Sequence, residues 1–175
     1  DARGSGLATS VSEHGWDQFH ARLDRAREDL TLAARLDSRD PMPWAQLVTV
    51  YRGLDDPDEA KRAFKEATRR QPGCRAAHHS LLQCVAKKWY GSHEEMWQFA
   101  RQATSEAPEG SSLPALVCDA HIEMALSPSM GHGDEDDEED ASWAAGLGES
   151  SPAEDFYAAY LRQPQVREEI LAAAK

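Results

Sequence analysis

Three histidines and two carboxylates are the side chains best suited to chemistry in this chain. His78 and His79 are adjacent, and His121 lies between Asp119 and Glu123. Brought together across neighbouring helices, such a set offers imidazole and carboxylate ligands for a metal. It would also offer His79, Asp119 and Glu123 to a metal-dependent hydrolase. The spacing argues against the metal. Adjacent histidines point to different sides of a helix, and the i−4 and i+4 neighbours of His121 are Val117 and Ala125, which cannot ligate. His93-Glu94-Glu95-Met96-Trp97 begins like H-E-x-x-H, but Trp97 replaces the second ligand. The expectation is core or groove-wall histidines, with no metal and no cofactor.

Other chemistries find less. The acidic run Asp134 to Asp140 invites calcium, yet an EF-hand loop started at Asp134 would put Glu139 where glycine is needed and Ala145 where the bidentate glutamate belongs. There is no G-x-S-x-G elbow, no glycine-rich phosphate loop and no paired Cys/His motif, so no catalytic residue is assigned. Cys74, Cys84 and Cys118 are odd in number and form no C-x-x-C pair. They read as buried, reduced thiols of a cytoplasmic protein.

Charge narrows the partners. The net charge is −12, but residues 128–150 hold eight acids and no base, while the rest is close to balanced. No basic patch stands out, which excludes nucleic acid as a partner. No apolar run approaches the roughly 20 residues of a membrane span, and residues 1–12 lack the basic and apolar regions of a secretory signal.

These side chains must be positioned by helices. Trp44, Leu47, Val48 and Tyr51 recur at i, i+3, i+4 and i+7, one face of a helix. A break at 53–57 follows, with Pro57 and Asp58-Glu59 suited to a new helix start. Ala60, Phe64 and Ala67 line that second helix, and Gln71-Pro72-Gly73 ends it. One period later, His78, Leu81, Leu82 and Val85 repeat the first face. Met96, Ala100, Ala103 and Pro108 repeat the second, two residues late, after a longer turn around Trp89-Tyr90-Gly91-Ser92. Ser92 with Glu95 makes a capping box. One period earlier, Ala26, Leu30 and Ala33 mark a leading second-type helix. A further helix spans 113–126 with Leu113, Leu116, Val117, Ala120 and Met124. Residues 128–150 read as an acidic mobile linker, and 151–175 as two short capping helices around Pro164.

The Trp44…Leu47-Val48…Tyr51…Ala60…Phe64…Ala67…Pro72 spacing resembles the tetratricopeptide-repeat family. The resemblance implies an all-α fold: a short right-handed helical-repeat stack over residues 1–127 with a C-terminal helical cap. A second stretch, Trp89-Tyr90-Gly91-Ser92 with Met96 and Phe99-Ala100-Arg101, is similar to a signature of a bacterial family of unknown function built on such helices. It brings no activity with it.

In the tetratricopeptide family the first helix of each pair lines the concave face, where ligands lie. The resemblance therefore implies a partner-binding groove of Thr49, Arg52, His79, Gln83, Lys87, Asp119 and Glu123, basic at one end and acidic at the other. Ala45 and Thr49 stand where a carboxylate-clamp version of the groove would need Lys and Asn. Trp89, Tyr90 and Trp97 form a second candidate surface, since such side chains carry much interface energy. The functional expectation is a scaffold module binding a protein or peptide. An uncapped end of the array would be a surface for self-association, and the acidic linker a segment able to fold back onto Arg52 and Lys87.

Overall fold

The computed structural model describes residues 11–126 and 152–173. The acidic run and the linker reading of 128–150 lie outside the described residues. Within them the chain is all-α: α1 (Glu13–Leu36), α2 (Met42–Gly53), α3 (Pro57–Arg70), α4 (Arg75–Cys84), α5 (His93–Ser105), α6 (Leu116–Leu126), α7 (Pro152–Arg162) and α8 (Pro164–Ala173). A 3-10 turn, Leu113–Ala115, leads into α6.

The helix starts follow local chemistry. The side chains of Ser12, Asp56 and Ser92 accept from the backbone N–H groups of Gly15, Glu59 and Glu95 at 3.1, 3.0 and 3.1 Å. Each thereby satisfies a donor the helix cannot. Pro57 opens α3, where its missing N–H costs nothing.

Packing alternates. α2 lies on α1, α3 and α4, while α4 lies on α3, α5 and α6, and α6 is covered by α5, α7 and α8. Small residues set the close approaches. Ala60, Ala63, Leu47, Val48 and Leu81 share one buried cluster. Ala45, Ala67, Cys74 and Ala77 form another. Leu82, Met96, Ala100, Leu113, Leu116 and Ala120 fill a third between α4, α5 and α6. Burying such side chains contributes roughly 1.5–3 kcal/mol each for the larger ones. Ala45 is fully buried, so this position is closed to any ligand.

A histidine takes a place in the core between aromatic side chains of α3 and α5. His78, one period after Trp44, is buried, and its Nδ1–H donates to the Cys74 carbonyl at 2.9 Å. Its ring meets Phe64 edge-on at 5.0 Å and stacks near Phe99 at 6.1 Å. Burial holds this imidazole below its ordinary pKa, outweighing the backbone hydrogen bond.

Candidate functional site: the outward face of α2, α4 and α6

Arg75, His79 and Gln83 are spaced four apart on α4, and Asp119 and Glu123 four apart on α6, so each series forms a stripe along its helix. The two stripes face each other. Asp119 Oδ2 accepts from the Arg75 guanidinium and lies 3.1 Å from His79 Nδ1. One turn along, Glu123 Oε1 accepts from Gln83 Nε2 at 2.7 Å, and Glu123 Oε2 takes Lys88 Nζ at 2.5 Å. On the other flank Thr49 Oγ1 donates to Ser80 Oγ at 3.2 Å, joining α2 to α4. The result is a half-buried polar ladder across three helices.

Electrostatics follow from these contacts. Burial pushes the Asp119 carboxyl up, but hydrogen bonds and charge from His79 and Arg75 outweigh it, leaving Asp119 below the ordinary aspartate value. Neither α6 carboxylate forms an unpaired acidic end, because each has a base from α4 or the turn after it. His79, Asp119 and Glu123 do not converge as a catalytic trio either. Asp119 holds His79, while Glu123 is occupied by Gln83 and Lys88.

The three histidines separate. His79 faces outward, whereas His78 and His121 are buried on the core side. His121, 2% exposed, shares a 2.9 Å hydrogen bond between Nδ1 and the Tyr160 hydroxyl. Its Nε2 lies 3.3 Å from Glu169 Oε2, close enough for an ion pair but too poorly aligned for a hydrogen bond. Trp97 packs edge-on against the imidazole at 4.6 Å, and Arg101 covers the Trp97 ring while reaching Glu169 at 3.3 Å. Burial is the largest influence on His121 and lowers its pKa, with Glu169 pulling the other way. Among the described residues no three His, Cys, Asp or Glu side chains are grouped to hold a metal ion.

The second candidate surface divides. Trp97 is half-buried against His121, but Trp89 and Tyr90 are 42% and 36% exposed. The Arg52 guanidinium lies over the Trp89 ring, 4.9 Å from its centroid, and the Tyr90 hydroxyl donates to the Arg52 carbonyl. Arg52 makes no ion pair among the described residues. The neighbouring Gly91 has a strict reason to be glycine: a Cβ there would sit 2.1 Å from the Val85 carbonyl oxygen. The stretch 89–101 therefore resolves into a tight turn, a cap at Ser92, and the core residues Met96 and Ala100.

Sequence reasoning missed Arg75, Ser80 and Lys88. Arg75 lies one helical turn before His79, a spacing that marks it as part of the same stripe. Lys88 was hidden because α4 ends at Cys84, after which helical periodicity no longer says which lysine faces α6. The Tyr160–Glu169–Arg101 surroundings of His121 had no local signal, since α7 and α8 lie far along the chain. No helix of the described residues is long and apolar enough to cross a membrane. No family model matches the chain, and neither the curated proteins nor the solved structures return a match.

Proposed function

We propose that this chain is a protein-interaction module of tetratricopeptide type, a right-handed stack of about three helix pairs with a C-terminal cap. It binds a protein or peptide across the outward face of α2, α4 and α6. The supporting observation is the side-by-side packing of α2 on α4 and α4 on α6, with α3 and α5 behind them. That order makes one continuous face from every second helix. The face is polar, half-buried and internally bridged, which presents donors and acceptors in fixed positions to an extended ligand. Thr49, His79, Gln83, Asp119 and Glu123 form its floor, with Arg52 and Lys87 towards one end.

Affinity capture from a lysate tests this reading, comparing the wild-type chain with His79→Ala/Gln83→Ala. Both side chains project from the outer face of α4, so the fold survives the change. A discrete protein retained by the wild type and lost with the variant supports the module. Identical capture by both chains rejects this face as the binding surface.

A further inference from the structure

The α4 side of this face differs from its α2 end in how its cations are used. Arg75 and Lys88 each meet a carboxylate from α6. Arg52, the single charge of α2, meets none and lies over Trp89 instead. Trp89 and Tyr90 are large and exposed, and their backbone is fastened. The Trp89 N–H donates to the Ala86 carbonyl at 2.9 Å and the Tyr90 N–H to the Cys84 carbonyl at 3.2 Å. Gly91 lets the chain pass against the Val85 carbonyl. Tyr90 is fastened at its far end as well, through its hydroxyl on the Arg52 carbonyl. Local charge is cationic on one side, where Arg52 and Lys61 both act on the nearby Cys84 thiol. Asp55 borders the Tyr90 hydroxyl on the other.

We propose that Arg52, Trp89 and Tyr90 form the anchoring platform for an acidic peptide, one carrying an apolar side chain next to a carboxylate. The apolar group lies against the exposed parts of Trp89 and Tyr90. The carboxylate takes the guanidinium N–H groups that no carboxylate of the described residues occupies. Two physical terms favour this occupant. Rigid aromatic rings lose little entropy on binding, and a guanidinium partly shielded by an indole, with no ion pair among the described residues, binds a carboxylate more strongly than one fully in water. The cation–π contact also fixes the direction of the guanidinium before the ligand arrives. Asp55 sets polarity, repelling an acidic residue placed over Tyr90 and leaving the Arg52 side for it. This platform deepens the module reading and rests on it.

The test uses the full chain and a short fluorescein-labelled peptide of alternating leucine and aspartate, followed by fluorescence anisotropy. Control peptides replace aspartate by lysine or leucine by serine. Circular dichroism establishes that each variant is folded. Wild type is expected to bind the leucine–aspartate peptide, the serine control about ten-fold more weakly, and the lysine control not at all. Arg52→Gln and Trp89→Ala should each weaken the parent peptide by about ten-fold or more, while His79→Ala/Gln83→Ala changes it less. Absence of wild-type binding overturns the platform, as does unchanged affinity in both Arg52→Gln and Trp89→Ala. Weakening by His79→Ala/Gln83→Ala alone would keep the module and reject the platform. If sizing shows a wild-type dimer that Trp89→Ala dissociates, a second copy of the chain covers the rings, and the proposal also falls.

Discussion

The connection between α2 and α3 and that between α4 and α5 each join two successive helices, yet they are built differently. The first is three residues, Leu54-Asp55-Asp56. Asp55 takes a positive φ of 62° and Asp56 caps α3 at once. The second runs from Val85 to Ser92. α4 stops at Cys84 after 10 residues, against 12 in α2, and the residues that follow fold into a tight knot of backbone hydrogen bonds. The short connection exposes only a polar corner. The long one raises Trp89 and Tyr90 from the surface and delivers Lys88 to Glu123. The comparison teaches that lengthening one turn can display large aromatic side chains while the helices behind it keep their packing.

The sharpest way to break that comparison is at the glycines. Gly91→Ala places a methyl group against the backbone oxygen of Val85, so the turn itself must move. A loss of about 3 kcal/mol in urea unfolding is expected, together with altered tryptophan emission. Gly53→Ala, at the end of α2, meets side chains instead of backbone, the terminal methyl of Leu23 at 2.7 Å and the Phe19 ring at 3.4 Å. Its change should stay within about 1 kcal/mol of zero, because helix propensity offsets the contact. Equal effects at the two sites would mean the α4–α5 turn is not specified as described.

Next in size is the polar ladder. Asp119→Asn leaves Arg75 without its charge partner, and a loss of about 1–2 kcal/mol is expected. The pH dependence has a definite sign. Because the folded Asp119 pKa is depressed, its contribution is present above the ordinary aspartate value of 3.8 and is lost as pH falls through the lower folded value. Denaturant titrations of wild type and Asp119→Asn should therefore converge in strong acid.

A smaller effect concerns the histidines of the inner side. The folded pKa values of His78 and His121 are both lowered, so the unfolded chain takes up protons more readily. Stability should be level at neutral pH and decline as pH falls below the ordinary histidine value of 6.5, down to the folded values. His78→Phe should flatten part of that decline. The smallest effect is predicted at the exposed turn, where Trp89→Ala should change stability by less than about 1 kcal/mol. A larger loss would show the ring to be structural instead of displayed.

Much of the helical order was legible in the sequence because it rests on local rules. The i, i+3, i+4 pattern of Trp44 to Tyr51, the helix start at Pro57, the capping box at Ser92 and the break at Gln71-Pro72-Gly73 all act within a few residues. The ladder was half legible. Four-residue spacing brought out His79, Gln83, Asp119 and Glu123, but which carboxylate meets which base depends on the register between α4 and α6. The half-burial of Trp97 and the exposure of Trp89 were not legible, since both belong to one aromatic-rich stretch. Only the early stop of α4 and the approach of α6 separate them.

The central claim is that the outward face of α2, α4 and α6 is where a partner sits. Site-specific photo-crosslinking in cells tests it most directly, with the crosslinking residue at Gln83 on that face or at Arg62 on the exposed side of α3. A discrete adduct from position 83 and none from position 62 is the predicted result. The same adducts from both positions, or none from position 83, would contradict the account.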